Sequence, residues 1–231
     1  MSYAELHCLS NFTFLRGASR PEELVARVHE LGYAALAITD ECSLAGVVRA
    51  HVAAKEVGLK LIVGSEIEFS EGTRVVLLAT DRAGYGNLSA LITRGRRSAI
   101  KGRYRLSLAD LADGVPGCLA LLLADPPPTL AHAQSIAARF PGRAWLAVGL
   151  FRAPDDAERL GAAIELAETS ALPMVAAGEV HMHVAGRRAL QDTLTAIRLG
   201  VPVFDVGNAL HPNAERHLRA PADLARLYPK A

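Results

Sequence analysis

Six short apolar runs recur along the chain, at Ala34–Ile38, Leu61–Val63, Val75–Ala79, Leu119–Ala124, Trp145–Val148 and Met174–Ala177. Each is apolar throughout instead of alternating with polar residues, the pattern of a strand covered on both faces. A shorter strand is expected at Ala4–Leu6. Between the runs, helical spacing predicts helices near 21–32, 45–57, 84–98, 129–139, 156–170 and 187–199. Strand and helix therefore alternate, and parallel crossovers would build an α/β barrel or a doubly wound sheet. Periodicity alone does not choose between the two.

Local signals support this punctuation. Ser19 stands ahead of Arg20-Pro21-Glu22-Glu23, which predicts a hydroxyl cap, a proline and two acids at the first helix start. Gly32 and Gly58 are placed to close the first two helices. The turn cluster Ala124-Asp-Pro-Pro-Pro-Thr129 lies between a strand and a helix and reads as a loop within one domain. After Val201 the strand rhythm stops, with prolines at 202, 212, 221 and 229 and a short amphipathic piece at 222–228. This divides the chain into a domain of residues 1–200 and an extension of residues 201–231 that departs from it.

Composition narrows the function classes. The chain has 231 residues, 51% hydrophobic and 21% charged, with a formal net charge of +1. Any contact with nucleic acid must then be a local patch, because no global positive field exists to release counterions. Cys8, Cys42 and Cys118 are scattered, with no CxxC pair, which excludes a zinc ribbon and suits a reducing cytoplasm. The start of the chain lacks a cationic stretch followed by an apolar one, so no secretory leader is expected, and no run reaches membrane-spanning length.

In α/β folds, functional groups gather where strands end. His7 follows the first strand, Asp40 and Glu41 the second, Glu66 the third, and Glu179, His181 and His183 the last. Imidazoles and carboxylates converging on one rim suit divalent metals that polarise a phosphate and activate water. The bland alternative is that the acids cap helices and the histidines are simply hydrogen-bonded. In His181-Met-His183, alternate residues of an extended segment face one way, so two imidazoles would meet one metal. A separate basic stretch, Arg94, Arg96, Arg97, Lys101, Arg103, Tyr104 and Arg105, reads either as a solvated loop or as a mobile strip following a phosphate backbone, with Tyr104 stacking on a base.

Four blocks carry a family resemblance: Tyr3–Ser19, Ala37–His51, Leu61–Phe69 and Val175–His183, the last followed by Arg187–Gly200. They resemble, in order, the PHP (polymerase and histidinol phosphatase) domain of bacterial error-prone C-family DNA polymerases, and His211–Arg219 resembles the stretch leading toward the polymerase palm. The resemblance implies a distorted (β/α)7 barrel whose complete members hold up to three metals and cleave phosphoesters, including DNA 3′ ends.

It also lets each ligand position be checked. His7-Cys8-Leu9-Ser10 stands where the family has His-x-His-Ser, so Leu9 replaces a ligand. Glu41 replaces the histidine of Thr-Asp-His, Arg74 falls at another histidine position, and Gly149 falls where relatives carry a ligand. Glu66 keeps the bridging glutamate, and Glu179 and His181 occupy the final Asp-x-His positions. An ion, Zn²⁺ or Mn²⁺, would rest on His7, Glu66 and His181. An arginine fork from Arg74 to Glu66 or Glu179 would be a metal-free substitute.

The resemblance therefore implies a scaffold without proofreading or any cofactor of its own, inside a DNA-directed DNA polymerase active in damage-induced, translesion synthesis. The parent's palm would use Mg²⁺. The implied partners are the other polymerase domains, DNA through the parent, and repair proteins. An active metallophosphoesterase or 3′–5′ exonuclease, and a single-strand DNA-binding module through residues 94–105, are the alternatives.

Overall fold

The computed structural model describes residues 2–228; Met1 and residues 229–231, Pro229 among them, lie outside the described residues. Seven strands form one sheet in sequence order: β1 (Ala4–Glu5), β2 (Ala35–Ile38), β3 (Lys60–Glu68), β4 (Arg74–Ala79), β5 (Cys118–Leu123), β6 (Ala144–Val148) and β7 (Met174–Ala176). Helices α1 (Pro21–Glu30), α2 (Val47–Val57), α3 (Arg82–Arg97), α4 (Leu130–Arg139), α5 (Asp156–Ser170) and α6 (Arg188–Leu199) flank it, and α7 (Pro221–Leu227) follows. The sheet curls into a half-barrel whose two edges meet at one end. Cys8 bridges Val180 just beyond β1 and β7, and the Gly178 N–H donates to Glu5 Oε1 at 2.8 Å.

The expected helices and strands are present, but two of the six strand pairings are antiparallel. β1, β2 and β3 run parallel, β4 is antiparallel to both its neighbours, and β5, β6 and β7 are parallel again. The reason is reach. Five residues, Phe69–Thr73, separate β3 from β4, whereas a parallel crossover needs a dozen or more. Gly72, at φ +79°, turns the hairpin.

The third strand is also longer than its apolar run. Pairing with β4 continues through Glu66↔Val76 and Glu68↔Arg74, so Glu66 lies within β3 and not after it. Strand alternation then sends Glu66 to the concave side, where Ala37, Val76, Leu121 and Ala147 pack, and Ile67 to the helix-covered side with Val75, Leu77 and Phe140. A third apolar cluster sits under α1 and α2 and includes Leu24, Val28, Leu36 and Ala50. Opposite the strand ends that carry Glu66, a cavity of about 640 Å³ opens among Leu6, Ile62, Leu121, Trp145 and Val175.

Two further expectations change. Arg20, not Ser19, is the residue preceding α1; its N–H donates to Glu23 Oε2 at 2.8 Å, while Ser19 serves His183 instead. The segment after Val201 packs back onto the barrel. Met182 bridges His217, the Tyr33 hydroxyl donates to the Arg219 carbonyl at 2.6 Å, and Tyr228 donates to that of Val148 at 3.0 Å. Leu218 and Leu224 are buried in the α1/α2 cluster.

Two glycines test this packing. A Cβ on Gly17, in the β1–α1 connection, would sit 2.0 Å from the Ser10 carbonyl oxygen, and one on exposed Gly86 in α3 meets nothing within 4 Å. Gly17→Ala should destabilise the chain by about 1–3 kcal/mol, and Gly86→Ala should stabilise it by roughly 0.5–1 kcal/mol. Denaturant midpoints of both variants check this, and a neutral Gly17→Ala would show the connection to be looser than described.

Candidate functional site

Glu66 is the centre of the rim. It reaches this place because β3 runs on past its apolar run, and it is fully buried. His7, released by the end of β1, places Nε2 2.7 Å from Glu66 Oε2. Arg16 Nη1 donates to Glu66 Oε1 at 3.0 Å, and Arg74, the first residue of β4, donates through Nε at 3.3 Å and lies with Nη2 3.1 Å from Oε2. Both carboxylate oxygens are thus occupied by side chains.

Arg74 spans the rim. Its Nη2 also donates to Glu179 Oε1 at 2.9 Å, and its Nη1 to the Asp125 carbonyl at 2.8 Å. Glu179, held at φ +42° after β7, accepts a short bond on its second oxygen from Arg216, which comes from the 201–231 extension. Arg216 continues to Asp125 Oδ2 at 3.1 Å and to His211 Nδ1 at 3.1 Å. Arg159 reaches Asp125 Oδ2 at 3.3 Å, and Arg16 closes the far side on Glu41 Oε2 at 2.6 Å. Four guanidiniums, on Arg16, Arg74, Arg159 and Arg216, face four carboxylates, on Glu41, Glu66, Asp125 and Glu179.

Gly149 has a steric role here. A Cβ at this position would lie 2.6 Å from the ring of Phe151, so the glycine leaves space for that ring to turn in. The Arg216 guanidinium stacks on it at 4.0 Å from the centroid, within the range of a cation–π contact. Leu9 is fully buried and offers no donor atom.

The two histidines of His181-Met-His183 are not brought together. His183 is drawn to α1, its N–H donating to Ser19 Oγ at 2.9 Å with Nδ1 2.8 Å from the same oxygen. His181 stays at the rim, 4.0 Å from Glu179 Oε1 and edge-on to His211, and neither of its ring nitrogens has a hydrogen-bond partner. Burial holds its imidazole neutral, well below the usual histidine range. Asp40 accepts bonds from the Ser10 N–H and from the hydroxyls of Ser10 and Thr13, so it fastens the β1–α1 connection.

This donor set does not fit a divalent cation as arranged. Both Glu66 oxygens are engaged, permanent cations stand among the carboxylates, and among the described residues no three His, Cys, Asp or Glu side chains group as metal ligands.

Arg16, Asp125, Phe151 and Arg216 were not singled out from the sequence. Asp125 directly follows the fourth apolar run, so the strand-end rule reaches it; Arg16 lies inside the first motif. Arg216 lies inside the His211–Arg219 stretch, but its pairing with Glu179, 37 residues away, carries no local signal.

The basic stretch divides. Arg94, Gly95, Arg96 and Arg97 form the last turn of α3 and not a loop. Arg96 donates to the carbonyls of Cys42 and Glu41 and covers the Tyr104 ring at 5.3 Å; the Tyr104 hydroxyl donates to Glu41 Oε1 at 3.0 Å. One face of Tyr104 is therefore taken. Arg94 pairs with Asp110, whereas Arg97, Lys101, Arg103 and Arg105 are exposed without side-chain partners among the described residues. Phe14, 81% exposed, joins Arg103 and Tyr104 around a polar recess of about 350 Å³.

The acids of the rim carry a pH signature. Burial would raise the carboxyls of Glu66 and Glu179, but Arg16, His7 and Arg74 hold the first well below its ordinary value of 4.5, and Arg216 and Arg74 hold down the second. Depressed carboxyls contribute stability that is complete above the unfolded value and is lost as pH falls through the folded one. Burial raises Glu5 and Asp40, which act in the opposite sense. Glu66→Gln should therefore cost about 3–5 kcal/mol at pH 7, a gap that narrows below pH 4.5. Melting curves at stepped pH test this, and a gap that stays constant down to the acid limit refutes it.

Residues 5–145 match the PHP domain family. A protein from Dechloromonas aromatica named error-prone DNA polymerase is 58% identical over 98% of this chain and 23% of its own length. One of the same name from Methylococcus capsulatus is 55% identical over 99% of this chain and 22% of its own length. The chain thus spans less than a quarter of these curated relatives. Among solved structures, a candidate metal-dependent phosphoesterase from Bifidobacterium adolescentis superposes with a TM-score of 0.58 at 17% identity, over 78% of this chain and 88% of that one. A lesion-specific endonuclease from Pyrococcus furiosus gives 0.52 at 12% identity, over 77% of this chain and 48% of that one. With the family matched over more than half of its length and the curled seven-stranded fold shared with these structures, the chain belongs to the PHP domain family.

Proposed function

We propose that this chain is the N-terminal PHP domain of an error-prone DNA polymerase, serving there as a brace for the catalytic domains and not as a phosphoesterase. Residues 1–200 form its barrel, and 201–231 an extension that completes the rim and leads toward the palm. Identity of 51–58% to relatives named error-prone DNA polymerase supports the parent. One observation carries the inactivity: Arg74 stands at a ligand position and spans Glu66 and Glu179. His7, Leu9, Glu41, Glu66, Arg74, Gly149, Glu179 and His181 are on this reading a metal site converted to ion pairs. Polymerisation would use Mg²⁺ in the palm of the parent, in the cytoplasm; no helix among the described residues is long and apolar enough to cross a membrane.

Metal-dependent hydrolysis requires a fixed ligand set with an open position, and a guanidinium supplies neither. Elemental analysis of the purified chain should find well under one Zn²⁺ or Mn²⁺ per molecule, and a phosphodiester substrate should not turn over. Stoichiometric metal, with turnover abolished by His7→Ala, would make the domain a metallophosphoesterase or 3′–5′ exonuclease after all.

The exposed cations Arg97, Lys101, Arg103 and Arg105, of which Arg103 shares a recess with exposed Phe14, favour a second role, contact with single-stranded DNA. Each phosphate neutralised on a single strand contributes about −0.7 to the slope of log K against log salt. Replacing Arg97 and Arg103 together with Glu should weaken oligonucleotide binding and flatten that slope. Binding unchanged in titrations from low to moderate salt would remove this role.

A further inference from the structure

Helix α6 is turned inside out. A surface helix ordinarily directs its apolar stripe at the core. Here Gln191, Thr195 and Ala196 are buried, whereas Leu190 is 40% and Ile197 59% exposed, with Leu194 half-buried. The i, i+4, i+7 spacing of Leu190, Leu194 and Ile197 sets all three on one outward face. Phe14 shares a groove of about 330 Å³ with Leu190 and Leu194, and beyond the helix Phe204 is 86% exposed. Exposed apolar surface of this extent, arranged as helix-spaced anchors, is the form a helix-binding face takes.

Charge selects the occupant. Arg187, Arg188 and Arg198 stand on or beside α6 against two acids, Asp192 on the helix and Glu23 across from it. Arg188 lies 3.5 Å from Asp192 and Arg187 pairs with Glu23, leaving Arg198 without a partner among the described residues. A second copy would bring a second unpaired Arg198 to the same face, whereas an acidic flank would meet it. More than three quarters of the length of the relatives lies outside the matched region.

We propose that the Leu190–Leu194–Ile197 face docks an amphipathic helix with acidic flanks, supplied by the polymerase beyond these 231 residues; this rests on the bracing role above. The test places the photo-crosslinker p-benzoylphenylalanine at position 197 of the longer polymerase, and separately at position 52, on the exposed apolar side of α2. Position 197 should cross-link within the molecule to a segment with apolar residues at helical spacing and Asp or Glu beside them, and Arg198→Glu should abolish that product. Cross-links to a second copy, to DNA or to a basic segment overturn the inference. Products from position 52 alone overturn the choice of face and leave the brace standing, and none from either position overturns both.

Discussion

The rim depends on the cost of burying Glu66. A carboxylate removed from water costs several kcal/mol unless positive charge compensates it. The β3 register places Glu66 on the concave face, where exposure to water is not available. Arg74 meets that demand from the neighbouring strand of the hairpin, two positions from Val76, the partner of Glu66 in the ladder. Because its guanidinium is planar and always charged, one side chain compensates Glu66 and Glu179 together, and no ion need be recruited from solution.

Meeting that demand ties the extension to the barrel. Glu179 needs a second cation for its other oxygen, and Arg216 supplies it from a segment that local sequence signals assign to a departing tail. Arg216 in turn rests on Phe151, whose ring occupies the space that a side chain at 149 would fill. The glycine at 149, the ring of Phe151 and the Arg216 guanidinium therefore depend on one another sterically. Arg219 follows the same course, donating to the Leu150 carbonyl at 2.8 Å while its own carbonyl accepts from Tyr33. The rim and the tail are accordingly expected to fold as one cooperative unit.

The elements were legible because a buried strand must be apolar throughout and an amphipathic helix must repeat near 3.6 residues. What escaped was the direction of β4, which depends on counting the residues available to cross over and not on the strand itself. At the rim, His7, Glu41, Glu179 and His181 stand beyond strand ends as the strand-end rule requires, whereas Glu66 lies within β3 and Arg74, pointed to by the family resemblance alone, opens β4. Ser19 and His183 show its limit: each fits a familiar local role, helix cap and metal ligand, yet they bond to each other across 164 residues. Arg216 was illegible for the same reason, since a long-range ion pair leaves no trace in local pattern.

The charge balance of the rim sets the field at the barrel mouth. A metal centre concentrates positive charge at the barrel mouth and draws phosphate there. Four arginines matched by four acids leave the mouth near neutrality, so no comparable attraction survives. Among the described residues, exposed cations without an acidic partner stand outside it, Arg97, Lys101, Arg103, Arg105 and Arg198 among them, as do Arg20, Lys55, Lys60 and Arg82. Positive potential therefore arises away from the mouth and not within it. In a brace this separation is useful, because a strand or a neighbouring domain can be held without a phosphate being drawn into the mouth.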